Sequence, residues 1–199
     1  MLVVFKGIKN KNIVVFDAEY NEGELIQFSS IMFRRITDDD IYQISRSLNF
    51  YVKLQEKKEI NRFIADFTGI TDDFLEEVGI ELDEAIEKIK DFLNVEGDIL
   101  FASHGLYNDR QILLSNGVDL YNVFDKKVEG FCTYNSSKRY LKRNKNLRLE
   151  DVAAESGLFL ANKHNAFDDA WATASILSLL CKLKCEQEQE EKENEKKFF

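Results

Sequence analysis

Three long β-branched and aromatic runs follow one another near the start of the chain: "NIVVFDAEY" (12–20), "ELIQFSSIMFRRI" (24–36) and "IYQISRSLNFYVKL" (41–54). Runs of this kind, bounded by turn formers, read as strands. The connections between them are short and polar, so consecutive strands must pair as an antiparallel meander. The hydrophobic period then changes. "TGITDDFLEEVGIELDEAIEKIKDFLN" (68–94) has helical spacing, with Thr71 or Asp72 as an N-cap and Gly79 as a break between two helices. "GDILFASHG" (97–105) reads as a short buried strand, and "LYNDRQILLSNG" (106–117) as a helix ended by Asn116-Gly117. Further helices fit 132–143 and 149–156, and a long one begins at about 166. Strands first, then alternating helix and strand, predict an α/β sandwich around a mixed sheet. Residues 1–182 are expected to form one domain. The charged stretch 183–199, without an apolar stripe, is expected to be a helical extension or a disordered tail.

No run approaches the eighteen or so apolar residues of a membrane span, and "MLVVFKGIKNKN" is too short and too soon charged for a signal peptide. Cys132, Cys181 and Cys185 have no metal-ligand spacing and are odd in number for a disulfide framework, so a cytoplasmic chain with reduced thiols is expected. The net charge of −9 argues against a surface that binds polyanions indiscriminately.

Several acids stand where acids are costly. On strand 12–20 the side chains alternate, so Asp17 and Glu19 share a face with Ile13 and Val15. At about 3.3 Å per residue their Cβ atoms lie roughly 7 Å apart. Two like charges on an apolar face repel and lose hydration, and a divalent cation would offset both costs. The alternative is a solvent-exposed face. Asp109 lies three and four residues from Leu106, Ile112 and Leu113, within the apolar stripe of its own helix. The alternative there is a helix that begins later, with Asp109 merely near its N-terminus, where the dipole favours an acid.

The stretch "NKHNAFDDAWATA" (162–174) carries one of only two histidines, followed by two aspartates. On a helical wheel of about 100° per residue, Asp168 aligns with Ser175 and Lys182. Asp169 falls among Ala172, Ile176, Leu180 and Leu183, so it is the acid that needs a partner. His104, at the end of the buried strand, reads as a hydrogen-bonded structural histidine. His164 lies in a polar loop beside Asp169.

Taken together, "FDAE" on the first long strand, Asp109 on a helix after a strand ending in His-Gly, and "HNAFDD" at the last helix resemble the three motifs of the DEDDh (DnaQ-like) 3′→5′ exonucleases. "FTGITDDFL" (67–75) is similar to a segment that family carries between its first two motifs. The resemblance covers about residues 10–182. It implies a ribonuclease H-like fold and a two-metal mechanism, with Asp17, Glu19, Asp109 and Asp169 holding two Mg²⁺ or Mn²⁺ ions. His164 would take a proton from the attacking water, work that an imidazole's ordinary pKa of about 6.5 suits. The product would be a nucleoside 5′-monophosphate. Two positions depart from the pattern: Tyr20 stands where the family has Thr or Ser, and "HGLYND" puts Gly105 and Asn108 where it has Asn and Phe. Both changes spare the acids and fall where the nucleotide pocket is shaped, a pocket to which Ala18 and Tyr20 are assigned.

"SSKRYLKRNKNLR" (136–148) brings together Lys138, Arg139, Lys142, Arg143, Lys145 and Arg148. It is a candidate phosphate track with Tyr140 available to stack on a base, or else a solvated helix face. The expected substrate is the 3′ end of single-stranded DNA or RNA. Two other readings are a proofreading subunit that docks on a polymerase through its tail, and a catalytically silent nucleic-acid-binding scaffold.

Overall fold

The computed structural model describes residues 2–55, 59–122, 127–142, 144–145, 147–158, 160 and 164–197. The predicted meander is there: β2 (Lys11–Asn21), β3 (Glu24–Arg35) and β4 (Ile41–Tyr51) pair antiparallel. The turn between β2 and β3 places Glu22 and Gly23 at φ 50° and 90°, the primed geometry whose twist matches the flanking strands. β5 (Asp98–Ser103) adds to β2 in parallel, as the mixed sheet requires.

Three elements escaped the sequence reading. β1 (Leu2–Val4) extends the sheet at one edge, antiparallel to β4, and β6 (Val128–Cys132) extends it at the other, parallel to β5. Both are short, and β6 contains Gly130, so neither shows enough alternation to register. The helix α1 (Arg62–Thr68) has no fully buried residue, so it lacks the apolar stripe that reveals a helix. The strand order is β1-β4-β3-β2-β5-β6.

The helices cover both faces. α2 (Asp72–Val78) starts at the Thr71 cap and stops at Gly79, as expected. On one face, α3 (Leu82–Leu93) and α4 (Leu106–Ser115) bury Ala85, Ile89, Phe92 and Leu113 against Val14, Phe16, Phe28 and Phe101. On the other lies α7 (Ala166–Lys197), whose Ala174, Leu177 and Cys181 pack on Ile13, Val15, Ile31 and Phe33. α5 (Thr133–Tyr140) and α6 (Leu149–Glu155) flank α7, with Leu149, Val152 and Ala153 of α6 against Ala172, Ile176 and Leu180. α7 runs through the charged segment to Lys197, with side-chain pairs such as Lys184–Glu188 one turn apart. Cys132, Cys181 and Cys185 are unpaired thiols. Among the described residues no helix is long and apolar enough to cross a membrane.

Two buried side chains fix how the layers meet. Asn116, at the end of α4, accepts from Leu25 N at 3.1 Å and donates to Gly23 O at 2.8 Å, tying that helix to the β2–β3 hairpin. Gln27 Oε1 accepts from Ala166 N at 3.3 Å, while its amide donates to Asn49 Oδ1 at 3.1 Å, so β3 and β4 anchor the start of α7. Removing Asn116 strands a buried donor and a buried acceptor, each worth about 1–3 kcal/mol. Asn116→Ala is therefore expected to lower unfolding free energy by about 2–4 kcal/mol in urea titration. A loss below about 0.5 kcal/mol would show that the tie is not structural.

Candidate active site

The site forms where β2 and β5 end and α4 and α7 begin. Asp17 and Glu19 project from β2 on the face that α7 covers, beyond Ile13 and Val15. Opposite them on β3 stand Ser29 and Gln27, both buried, so the polar character crosses to the neighbouring strand. Asp169 lies in the first turn of α7. Ala170 and Ala174 are fully or nearly fully buried and carry no bulk, which lets that end of the helix approach the sheet. Oxygens of Asp17, Glu19 and Asp169 lie within 4.8 Å of one another. Asp109 is 8% exposed in the first turn of α4, which begins at Leu106 as expected and not later. It stands next to this trio, and its carboxylate is held by Ser103 Oγ and the Gly105 amide.

The electrostatics are those of a site built for positive charge. Burial, reinforced by Asp109, Glu19 and Asp169, pushes the Asp17 carboxyl well above the usual range. Burial and the charges of Asp169 and Asp109 push Glu19 up to about 8. Burial lifts Asp109 to about 6 against the pull of its Ser103 and Gly105 hydrogen bonds. Asp169 rises to about 7, again through burial, although the His164 backbone amide donates to it. Among the described residues no lysine or arginine pairs with any of the four. Asp168 is half-buried and raises Asp169 by its charge, but it is not one of the clustered acids.

Asp17 and Asp169 line a cleft of 530 Å³ that also has Phe67, His104, Tyr107, Tyr134, Arg148, Glu150 and His164 on its walls. A more open depression of 740 Å³ lies at the other end of the strands, around Lys11, Arg34 and Glu96, away from the carboxylates. His164 has φ 61°, and its ring stacks on Phe67 with centroids 3.4 Å apart. His104 is hydrogen-bonded as expected: Nε2 donates to Leu147 O at 2.7 Å and Nδ1 meets Thr133 Oγ1 at 2.9 Å. Burial lowers its pKa.

The remaining expected contacts spread out. Ala18 is buried in the opposite core with Val14 and Phe16, so its side chain cannot face the cleft. Tyr20 is 40% exposed, beyond a bulge after Glu19, and is not one of the cleft-lining residues. Lys138 and Arg139 are exposed on α5, Lys142 and Lys145 are exposed after it, and Arg143 lies outside the described residues. Tyr140 is half-buried, with the Arg139 guanidinium 5.3 Å from its ring centre. Of this basic stretch, Arg148 reaches the cleft. Sequence reasoning missed Gln27 and Ser29, whose signal was two polar residues at alternating positions in an apolar strand. It missed Tyr134 although the helix expected at 132–143 contains it, because only the packing of α5 beside the cleft shows which of its residues face the site.

The raised carboxyls have a direct consequence for stability. In the unfolded chain these groups titrate at about 4. A folded-state pKa above that value means the folded protein holds protons more tightly. The stability so contributed is complete below about pH 4 and is lost as pH climbs through the folded values of about 6, 7 and 8 for Asp109, Asp169 and Glu19. The Tm of metal-free protein is expected to fall between about pH 5 and pH 8, and Mg²⁺ or Mn²⁺ should restore it. Asp17→Asn should raise the metal-free Tm and reduce the metal response. A Tm independent of both pH and metal would rule out this electrostatic picture.

Comparison with known proteins agrees with this geometry. A nuclease domain described as 3′hExo, a DEDDh family member bound to rAMP, superposes with a TM-score of 0.70 at 17% identity, over 87% of this chain and 93% of that one. E. coli exonuclease I in complex with a dT13 oligonucleotide gives 0.67 at 19% identity, over 85% of this chain and 41% of the larger enzyme. A 3′-exonuclease solved for recognition of the histone mRNA stem-loop gives 0.68 at 16% identity, covering 87% and 82% of the two chains. The fold is thus the ribonuclease H-like fold of the DEDDh exonucleases. None of the curated proteins matches the sequence. The family model described as exonuclease (RNase_T) matches residues 14–177, most of the chain. The chain belongs to the exonuclease family.

Proposed function

We propose that this chain is a divalent-metal-dependent 3′→5′ exonuclease that releases nucleoside 5′-monophosphates from single-stranded DNA or RNA ends. The observation that carries the reading is the meeting of Asp17, Glu19 and Asp169 within 4.8 Å, beside Asp109, with Asp17 and Asp169 opening on the cleft that His164 also lines. Among structural neighbours, E. coli exonuclease I is described with single-stranded dT13 and with dA16, and 3′hExo with rAMP. Residues 1–182 are assigned as the catalytic unit and 183–199 as its extension. The unpaired thiols fit a reducing compartment, the cytoplasm.

The donor set suits hard cations: all carboxylate oxygens, wholly or partly buried and, among the described residues, without a lysine or arginine partner. Asp17, Glu19 and Asp169 would hold one ion. Asp17, whose strongest charged neighbour is Asp109, would share a second with it. Bound Mg²⁺ or Mn²⁺ would supply charge neutralisation at the scissile phosphate and an acidified water.

The chain's own groups do the rest. The His164 imidazole takes the proton of the attacking water, with Phe67 fixing its ring plane and the bond from its backbone amide to Asp169 fixing its position beside the acids. Ser103 and Gly105 hold Asp109 so that its oxygens cannot turn away from the site. Tyr107 and Tyr134, 73% and 44% exposed, offer ring faces to unpaired bases. That favours single strands, whose bases are free to stack.

The test uses 5′-labelled single-stranded DNA and RNA of one sequence with Mg²⁺, Mn²⁺ or EDTA. A metal-dependent ladder shortening from the 3′ end is expected, abolished in Asp169→Ala and kept in Asp168→Ala. His164→Ala should lower kcat by about 10²–10⁴ while leaving the Tm close to wild type. No cleavage in any metal would replace the nuclease reading with that of a binding scaffold.

A further inference from the structure

The cleft wall across from the acids consists of two segments joined by one imidazole. His104 leaves the end of β5 and reaches Thr133 Oγ1, at the start of α5, with Nδ1. Its Nε2 donates to the carbonyl of Leu147, immediately before α6. A carbonyl only accepts, so Nε2 carries the hydrogen in either charge state of the ring. The carbon of that carbonyl is bonded to the Arg148 nitrogen, and the hydrogen bond therefore fixes the peptide plane from which Arg148 springs. On either side, Leu147 and Leu149 are 5% and 9% exposed and packed with Val152 and Ile176. Arg148 lies between them in extended backbone (φ −60°, ψ 154°), so its side chain turns outward to the cleft.

Arg148 is the one permanent cation among the described residues that line the cleft, where Asp17, Glu150 and Asp169 supply negative charge. Its contacts with Glu150 at 3.5 Å and Asp151 at 3.8 Å are loose, and its side chain is 81% exposed. A guanidinium so placed keeps its donor fork available, and that fork matches a phosphate's oxygens. A single strand entering a cleft this acidic needs a positive contact other than the ions at the acids.

We propose that Arg148 binds a backbone phosphate of the strand, and that His104 is a positioning residue which holds Arg148 there through the Leu147 carbonyl. The proposal rests on the nuclease reading and adds to it the residue pair that grips the substrate. Arg148 exchanges its exposed carboxylate contacts for the phosphate when the strand enters. His104 touches no substrate atom in this role.

The experiment measures kcat and KM on the labelled single strands with Mg²⁺ across a salt series. Arg148→Ala should raise KM about tenfold with kcat within about threefold of wild type. It should also flatten the dependence of log KM on log salt by about 0.7, the loss of one phosphate contact to a single strand. Arg148→Lys should keep the slope. His104→Asn keeps a group at the Nδ1 position for Thr133 but does not reach Leu147, so it should raise KM and flatten the slope as Arg148→Ala does. His104→Gln reaches Leu147 with an N–H and should restore both. The His104→Asn/Arg148→Ala double variant should be no worse than either single one. Thermal melts accompany each variant.

An unchanged salt slope in Arg148→Ala overturns the phosphate contact. Additive losses in the double variant, or a His104→Gln protein as impaired as His104→Asn, overturn the positioning role. A wild-type protein that cleaves neither strand overturns the nuclease reading itself, a result distinct from both.

Discussion

Four carboxylates meeting in one partly buried place are the costliest feature of this protein, and much of the surrounding architecture exists to hold them together. Like charges at this spacing repel, and burial removes the water that would otherwise screen them. Their pKa values, about 6, 7 and 8 for Asp109, Asp169 and Glu19, with Asp17 also pushed well above the usual carboxylate range, express that strain. Three devices fix the four acids. Asp17 and Glu19 are locked by the register of a central strand, paired to β3 along its length. Asp109 is locked by Ser103 and by α4, which Asn116 ties to the β2–β3 hairpin. Asp169 is locked by α7, whose first residue hydrogen-bonds to Gln27 on the strand next door.

That arrangement turns a folding liability into a functional asset. Residues from distant parts of the chain converge only because a parallel pair, β2 and β5, ends where α4 and α7 start. In the proposed function a divalent cation would find the oxygens of Asp17, Glu19 and Asp169 already within 4.8 Å of one another, with little reorganisation left to oppose its binding. Under the proposed function, the aromatic walls of the cleft and Arg148, the one arginine among its described residues, would suit a flexible, stacked, anionic polymer better than a rigid duplex.

The sequence made much of this visible. The meander, the Thr71 cap, the Gly79 break and the ends of β5 and α4 followed from period and punctuation alone. So did the burial of Asp169 among apolar neighbours, which places it and not Asp168 with Asp17 and Glu19, because a wheel reports which side of a buried helix an acid occupies. What stayed hidden was short or non-local. β1 and β6 have only three and five residues, and their pairing partners lie far along the chain. α1 is stabilised at its ends by Asn61 and Gly69 rather than by an apolar stripe. The roles of Gln27 and His104 depend on carbonyls and amides contributed by segments 139 and 43 residues away. The basic stretch 136–148 looked like one track, but helix geometry scatters its members and delivers Arg148 to the cleft.

The central claim is that strained, partly protonated carboxylates constitute a divalent-metal site. Calorimetric titration of the metal-free protein with Mn²⁺ near pH 7, repeated in buffers of different ionisation enthalpy, tests it most directly, because it reads stoichiometry and proton release together. The account predicts about two ions per chain and a net release of protons, lost in large part when Asp17 is replaced by Asn. Saturable binding without proton release, or no saturable binding at all, would contradict it.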